Sequence, residues 1–217
     1  MRRARFSRRH NKRPERTAEK RSRSAAARYK AQTMKRRGVF LDLNGTLVLP
    51  IIVQRLGELR LIDEAGAAVA GLSKAGFVCP VVTIQSRIGK GLFSLEEFQE
   101  WFGSFAVQLR DHGAAVAGPY VCPHRFAEAC HCKKPSSFLY EQAATEHGID
   151  LHHSFVIGDS AADVEAARRF GGRGVLVRTG WAADEQEAKR GIPYASHVAE
   201  SLTDATAWVL RQPEQAV

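Results

Sequence analysis

The sequence lacks long hydrophobic runs, and this absence limits the classes of protein to which it can belong. Its longest apolar stretches, such as Leu47 to Val53, fall far short of the roughly 20 residues that a membrane-spanning helix needs. No apolar segment follows the basic residues at the start, so the pattern of a secretory signal peptide is also missing. These absences predict a soluble, cytoplasmic protein that does not associate with membranes.

Acidic residues are scarce in one part of the chain only. Residues 1–37 contain sixteen of the 32 Lys and Arg residues, and their only acids are Glu15 and Glu19. This segment therefore carries a formal charge of +14 and the remainder carries −5, which together give the net charge of +9. Because the segment also has almost no large apolar residues, we predict a disordered basic tail over 1–37 and one folded domain over 38–217.

Three interpretations of the basic tail remain open. It could be an arm that binds nucleic acid or another polyanion. It could be an organelle transit peptide, which is also rich in Arg and poor in acids. Alternatively, Met34 is the true start of the protein, because a short basic lead would then directly precede the first apolar strand. We expect the folded part to be a monomer.

Strand and helix patterns alternate after the tail. The predicted strands lie at 38–43, 76–84, 115–121, 154–159 and 174–180, and the predicted helices at 61–74, 94–112, 138–147, 161–170, 183–190 and 199–211. Ser94 and Glu97 form a capping-box pattern at the start of the second helix. This alternation predicts an α/β fold with a Rossmann-like parallel sheet and helices on both faces. Ligands of such folds bind at the carboxyl ends of the strands.

Polar residues that suit phosphate chemistry follow several of the predicted strands. The first strand runs into Asp42 and Asn44, the second contains Thr83 near its end, and the fourth ends in Asp159. A carboxylate can attack phosphorus as a nucleophile, and two carboxylates suit Mg²⁺. Lys134, on a loop, could hold phosphoryl oxygens. Each residue alone is ordinary loop chemistry, so the prediction depends on the ordered set.

Four segments, "FLDLNGTL", "VVTIQS", "CKKP" and "VIGDSAADVEAA", resemble the four motifs of the haloacid dehalogenase (HAD) superfamily of phosphatases. The resemblance spans roughly residues 38–210. It implies that Asp42 is the nucleophile and that Asp42, the backbone carbonyl of Asn44, and Asp159 bind Mg²⁺. It further implies contacts to the substrate phosphate from Thr83, Gln85, Ser86, Lys133 and Lys134, and a supporting role for Asp163.

Three of the four cysteines lie in the short segment "CPHRFAEACHC". Cys122, His124, Cys130 and Cys132 suit a tetrahedral structural Zn²⁺. A disulfide is the alternative, but clustered thiols with a histidine favour a metal. The cluster is similar to that of a zinc-bearing branch of the HAD superfamily, which contains heptose bisphosphate phosphatases and histidinol-phosphate phosphatases. In that branch the zinc loop replaces a large cap domain, so we expect a minimal cap here.

Asn44 departs from the superfamily pattern. Most of these phosphatases have a second aspartate at this position, which protonates the leaving group and then activates water. An amide can do neither, and lost acid–base catalysis typically costs about 10²–10⁴-fold in rate. Arg87 and Lys133 depart as well, because the branch usually has glycine and arginine at these positions.

Three hypotheses about function follow from these residues. The chain could be an Mg²⁺-dependent phosphatase of a small phosphorylated sugar or alcohol, similar to a heptose bisphosphate, that Asn44 weakens. It could instead be an inactive relative that binds a phosphorylated ligand or a partner. A third hypothesis is a phosphatase of nucleic-acid ends, for which the basic tail would be the tether.

Overall fold

A computed structural model of the protein describes residues 35–213. Most of the predicted basic tail lies outside the described residues. The polyanion, transit-peptide and start-site interpretations all concern this part of the chain.

A six-stranded parallel sheet forms the centre of the described region. Its strands are β1 (Arg36–Leu41), β4 (Pro80–Ile84), β5 (Ala117–Cys122), β6 (Ile149–Gly158), β7 (Arg173–Val177) and β8 (His197–Ala199), in the spatial order β5-β4-β1-β6-β7-β8. A separate antiparallel pair joins β2 (Val48–Leu49) to β3 (Arg60–Leu61). Because β1 lies between β4 and β6, the residues that follow these three strands are neighbours at one edge of the sheet.

Helices cover both faces of the sheet, as the alternating pattern predicts. They are α1 (Ala65–Lys74), α2 (Ser86–Gly89), α3 (Leu95–Asp111), α4 (Phe138–His147), α5 (Ala161–Arg169), α6 (Glu185–Gly191) and α7 (Leu202–Leu210). Short 3₁₀ helices lie at Leu56–Glu58, Gly180–Ala183 and Ile192–Tyr194. None of the helices in residues 35–213 is long and apolar enough to cross a membrane.

The side chains of β1 alternate between two hydrophobic cores, which is why both faces need a layer of helices. Val39 and Leu41 pack in the core that includes buried residues of α1, α3 and α7. Phe40 points to the other core, where its ring lies 5.3 Å from that of Tyr140 on α4 and 5.9 Å from that of Phe170, which follows α5. All three β1 side chains are fully buried, so this strand anchors the site that follows it.

Three features differ from the sequence prediction. Strand β6 begins at Ile149 rather than at 154, because its first residues pair with Arg36 and Arg37 before the register shifts. The first helix begins at Ala65 rather than at 61, since the preceding residues form strand β3. Strand β8 was not predicted, because three residues give no detectable period.

Two connections close the carboxyl end of the sheet, and neither contains a folded domain. The first joins β1 to α1 and holds only the β2–β3 pair and one turn of 3₁₀ helix. The second, which we call the Cys/His loop (residues 123–137), joins β5 to α4 without a helix or strand. The architecture therefore confirms the predicted minimal cap.

The capping box of α3 yields a stability prediction. The Glu97 backbone N–H donates to Ser94 Oγ at 3.1 Å, and the Ser94 N–H donates to Glu97 Oε2 at 2.6 Å. We expect Ser94→Ala to lower the free energy of unfolding by about 1 kcal/mol, because an N-terminal N–H of the helix loses its acceptor. Ser104→Ala, at an exposed position of the same helix, is the matched control and should be neutral or slightly stabilising. Equal losses in urea denaturation would contradict this account.

Candidate active site

Polar residues from three neighbouring strands meet at the carboxyl edge of the sheet. Asp42 follows β1, Asp159 follows β6, and Thr83 is the penultimate residue of β4. Asp163, in the first turn of α5, completes a group with Asp42 and Asp159, and one oxygen from each of the three carboxylates lies within 4.8 Å of the others. We call these three residues the aspartate cluster.

Lys134 reaches the aspartate cluster from the Cys/His loop. Its ammonium lies 2.5 Å from Asp42 Oδ1 and 2.6 Å from Asp163 Oδ1, and its side chain is only 2% exposed. Burial alone would lower the pKa of Lys134, but attraction to Asp163 and Asp42 raises it well above its ordinary value. Lys134 therefore carries a full positive charge against two buried carboxylates.

Asp163 is fixed by its own helix as well as by Lys134. Its Oδ2 accepts hydrogen bonds from Ser160 Oγ at 2.6 Å and from the Ser160 N–H at 3.2 Å. Gly158 leaves the space that this carboxylate fills, because a Cβ there would collide with Asp163. Both oxygens of Asp163 are thus occupied, which leaves Asp42 and Asp159 as the acids of the cluster with accessible lone pairs.

Asp159 lies between two glycines that allow the backbone to approach it closely. Its Oδ2 accepts a hydrogen bond from the Trp181 N–H at 2.7 Å. A Cβ at Gly45 or at Gly180 would collide with this carboxylate, and both glycines have positive φ angles, +95° and +50°. The two turns are tied together by a hydrogen bond from Thr179 Oγ1 to the Gly45 carbonyl at 2.6 Å.

The aspartate cluster holds more negative charge than its surroundings neutralise. Burial, followed by repulsion from Asp42 and Asp163, raises the pKa of Asp159 to about 9. Burial also raises the pKa of Asp42 to about 6, although Lys134 opposes the shift. Ionisation of all three carboxyl groups beside one ammonium is therefore unfavourable, and an additional cation would favour their ionised forms.

Asn44 is held by Gln85, which follows β4. Its Oδ1 accepts a hydrogen bond from Gln85 Nε2 at 2.7 Å, and the same amide donates to Thr83 Oγ1 at 3.0 Å. Thr83 and Gln85 are buried, and Ser86 is 8% exposed. The structure thus brings these sequence-predicted residues together with the aspartate cluster around one cavity.

Lys133 differs from the other predicted phosphate-binding residues. Its ammonium donates hydrogen bonds to the carbonyl oxygens of Arg125, Phe126 and Glu128 at 2.9, 2.6 and 2.8 Å. An ammonium has three N–H groups, so these carbonyls use all of them. In this structure Lys133 fastens the Cys/His loop, although its side chain still lines the cavity.

The four residues of the predicted zinc site also come together. The ligand atoms of Cys122, His124, Cys130 and Cys132 lie within 4.8 Å of one another, and all the cysteines are free. Cys122 Sγ lies 3.7 Å from Cys130 Sγ, and His124 Nδ1 lies 3.7 Å from Cys122 Sγ and 3.3 Å from Cys132 Sγ. A tetrahedral zinc with ordinary bond lengths would separate its ligand atoms by roughly 3.5–3.8 Å. The spacing therefore fits a metal site and is too long for the disulfide alternative.

The cavity above the aspartate cluster has a volume of about 640 Å³ and includes residues that the sequence analysis did not assign to the site. They are Ile51, Ile52, Val53, Ile84, Arg87, Lys90, Phe126, Ser160, Ala162, Trp181 and Glu187. Ile84, Ser160 and Ala162 lie within segments that resemble the superfamily motifs, whereas the other positions belong to loops and short helices that only the fold brings together. The position of Arg87, directly after the predicted contacts Gln85 and Ser86, was the one signal that could have identified it.

Comparisons with known proteins agree with this geometry. Residues 131–205 match the family model described as HAD-hydrolase-like. The chain is 33% identical over 187 residues to the D-glycero-beta-D-manno-heptose-1,7-bisphosphate 7-phosphatase of Haemophilus ducreyi, covering 81% of this chain and 100% of the relative. It is 34% identical over 175 residues to the enzyme of the same name from Yersinia pestis, covering 76% of this chain and 91% of the relative.

The chain belongs to the heptose-bisphosphate phosphatase family of HAD-like phosphatases. The family resemblance extends to three dimensions. The crystal structure of D,D-heptose 1,7-bisphosphate phosphatase from B. bronchiseptica, complexed with magnesium and phosphate, superposes with a TM-score of 0.74 at 26% identity. The match covers 82% of this chain and 99% of that one, so the heptose-bisphosphate phosphatase fold accounts for nearly all of the described residues.

The buried ammonium of Lys134 gives a prediction that does not depend on activity. We expect Lys134→Met to lower the free energy of unfolding by about 3 kcal/mol in the absence of added Mg²⁺, because Asp42 and Asp163 would lose their counter-charge. Lys74→Met, at the exposed end of α1, is the control and should change stability by less than about 0.5 kcal/mol. A Lys134→Met protein as stable as the control would show that this ion-pair arrangement is energetically unimportant.

Proposed function

We propose that this protein is an Mg²⁺-dependent phosphatase that removes a phosphate group from a heptose bisphosphate or a closely similar phosphorylated sugar. The observation that carries the proposal is the aspartate cluster around Lys134, at the strand ends where ligands of parallel sheets bind. Membership of the heptose-bisphosphate phosphatase family supports the substrate class.

Asp42, Asp159 and the backbone carbonyl of Asn44 would hold the magnesium ion. The fit is chemical, since Mg²⁺ prefers a few oxygen ligands and the pKa of Asp159 is raised to about 9 by burial and by its neighbouring carboxylates. Bound there, Mg²⁺ would supply charge that offsets the phosphoryl oxygens. Asp163 would support the site through Lys134, because both of its oxygens already accept hydrogen bonds.

Asp42 would act as the nucleophile. One of its oxygens forms a bond to phosphorus while the bond from phosphorus to the sugar oxygen breaks, and the departing oxygen takes a proton. Water then attacks the phosphorus of the aspartyl-phosphate, which releases inorganic phosphate and restores the carboxylate. Thr83, Gln85, Ser86 and Lys134 surround the position at which the phosphoryl group would lie, so we assign them to its binding. For Lys133, whose N–H groups are engaged by loop carbonyls, we propose a role in shaping the cavity wall.

Asn44 limits this reaction. An amide cannot deliver a proton to the sugar oxygen or accept one from water, so both steps would depend on solvent for proton transfer. The Gln85 hydrogen bond also holds the Asn44 side chain in place. The site would therefore bind substrate normally and release phosphate slowly.

A second candidate function follows from the same residue. With Asn44 in the acid–base position, the protein could serve as a binding protein for a phosphorylated ligand, since the groups assigned to phosphate and metal binding do not depend on an acid at position 44. Undetectable phosphate release together with micromolar, Mg²⁺-dependent binding of a heptose bisphosphate would favour this alternative.

We also propose that Cys122, His124, Cys130 and Cys132 bind a structural Zn²⁺. Four protein ligands would fill the coordination shell, so this metal would have no open position for catalysis. Two of its ligands lie at the start of the irregular segment 123–132 and two lie at its end, so the metal would join the two ends of this segment. It would hold the Cys/His loop so that Lys134, two residues after Cys132, reaches the aspartate cluster.

The catalytic proposal is tested by release of inorganic phosphate from D-glycero-D-manno-heptose 1,7-bisphosphate. Release should require Mg²⁺ and should fall to background in Asp42→Asn, because an amide is a very poor nucleophile toward phosphorus. Asp111→Asn, at the exposed end of α3, is the matched control and should keep the parental rate. Turnover that survives in Asp42→Asn would show that the activity comes from another site.

The zinc proposal is tested by metal analysis. The purified protein should contain about one zinc per chain, and Cys130→Ser should lower both the zinc content and the midpoint of thermal unfolding, because one thiolate ligand is lost. Cys79→Ala, in the connection that leads into β4, should retain the metal. Full zinc retention in Cys130→Ser would contradict the four-ligand assignment.

A further inference from the structure

Two arginines lie close together at the amino edge of the sheet, the edge opposite the active-site cavity. Arg37 is the second residue of β1 and Arg173 is the first residue of β7, and both strands run parallel to β6. Extended strands rise about 3.3 Å per residue, which puts Arg37 roughly 16 Å from Asp42 at the other end of β1. We call Arg37 and Arg173 the arginine pair.

Aromatic rings support the arginine pair. The guanidinium carbons of Arg37 and Arg173 lie 5.6 Å and 4.3 Å from the ring centroid of Phe155, whose side chain is fully buried. Arg37 also lies 4.8 Å from the ring centroid of Phe77, and Arg173 lies 5.9 Å from that of Trp208. Cation–π contacts of this kind hold a guanidinium in place without neutralising its charge.

No carboxylate of residues 35–213 forms an ion pair with either member of the arginine pair. Asp150, the register partner of Arg37 on β6, has its carboxylate 3.0 Å from His153 Nδ1 instead. Burial, followed by repulsion from Arg37, lowers the pKa of Arg173, so the two positive charges are close enough to repel each other. Neighbouring cations without an ion-pair partner attract an anion.

The arginine pair also keeps hydrogen-bond donors for a ligand. Arg37 Nε donates to the His153 carbonyl at 3.4 Å, and Arg173 Nη1 donates to Gln212 Oε1 at 2.9 Å. A guanidinium has five N–H groups, so these bonds leave most of the donors unused. Both arginines are only half-buried, and the planar fork of a guanidinium suits the oxygens of a phosphate group.

The neighbouring rings favour contact with phosphate over stacking with a nucleobase. Phe155 is covered by both arginines, and the Trp208 ring stacks on that of His197 with centroids 5.0 Å apart and an interplanar angle of 3°. These rings are therefore already used to support the cations and to pack against one another. Contacts to phosphate oxygens alone carry no sequence information, so a ligand bound here would be recognised by its charge.

The basic segment of the sequence leads directly into the arginine pair. Lys35 and Arg36 precede Arg37 and are exposed. Residues 1–34 hold thirteen further Lys and Arg residues. Arg173, by contrast, is distant in sequence and reaches this edge only through the fold. Several cations in one region suit a ligand that carries several phosphate groups in a row.

We propose that the arginine pair, together with Lys35 and Arg36, binds a run of phosphate groups, such as the backbone of a nucleic acid. This site is separate from the proposed phosphatase site and does not depend on its activity. It lies on the folded domain itself, so the polyanion interaction involves more than the basic tail. Binding is independent of base sequence.

The test is fluorescence anisotropy with the full-length chain and a labelled single-stranded oligonucleotide. The oligonucleotide has no terminal phosphate, and Mg²⁺ is omitted, so that the active site has no phosphate monoester to bind. Replacing both residues, Arg37→Gln with Arg173→Gln, should weaken binding roughly 10- to 100-fold. It should also lower the slope of log K against log salt by about 1.4, because each lost contact to a single strand removes about 0.7.

Arg178→Gln is the matched control, because Arg178 follows the carboxyl end of β7 and is half-buried like Arg173. It should keep the parental affinity at about 0.1 M salt, where screening acts over about 10 Å. Arg37→Lys with Arg173→Lys keeps both charges and should retain most of the binding. If this variant binds as weakly as the glutamine variant, the loss comes from disturbed packing and the proposal is wrong.

Two further measurements complete the test. Should the glutamine double variant fail to fold, Lys35→Gln with Arg36→Gln, at exposed positions, must lower the salt slope. Titration with inorganic polyphosphate distinguishes the source of the phosphates: tighter binding than that of the oligonucleotide, at equal phosphate concentration, assigns the site to polyphosphate, and weaker binding assigns it to nucleic acid. No binding by the parent, or equal affinity and slope in the parent and the glutamine variant, would overturn the proposal.

Discussion

Three carboxyl groups buried around one ammonium form the constraint on which the rest of this structure depends. Asp42, Asp159 and Asp163 come from two strand ends and one helix start, while Lys134 comes from a loop that has no regular structure. Such a group is stable only when every carboxylate has a hydrogen-bond donor or a counter-charge. The surrounding features provide them: the Ser160 and Trp181 N–H groups, the glycine turns that let the backbone approach, and the Cys/His loop that delivers Lys134.

The same constraint explains why two metals with different chemistry are proposed for so small a domain. The Cys/His cluster would give order to residues 123–132, which contain no helix or strand, and so would fix the position of Lys134. The aspartate cluster, by contrast, is already ordered by its hydrogen bonds and lacks only positive charge. One metal would therefore position the site and the other would complete its electrostatics.

The sequence allowed the central part of the fold to be predicted, because β1, β4, β6 and the helices α3, α4 and α5 carry strong periodic patterns and clear caps. The helix at Phe138–His147 and its cap at Gly148, which has a φ of 63°, lie where they were predicted. The β2–β3 pair and β8 could not be predicted, since strands of two or three residues depend on tertiary pairing rather than on their own pattern.

The candidate site divides in the same way. The residues of the four motifs were predictable because chemistry restricts their types and order. The different partners of Lys133 and Lys134 were not predictable. Adjacent lysines have the same local sequence, and they differ only in the groups that the folded loop places beside them. Arg87 belongs to this second class, since only the fold shows that it shares a cavity with the aspartate cluster.

The central claim is that this is an intact phosphatase site whose acid–base position holds an amide. The most direct test compares Mg²⁺-dependent phosphate release from heptose 1,7-bisphosphate by the chain as it stands and by its Asn44→Asp variant. The account predicts a rate increase of about 10²–10⁴-fold, because the aspartate restores proton transfer in a pocket that already binds the substrate. Equal rates for both proteins, or no phosphate release by either, would contradict it.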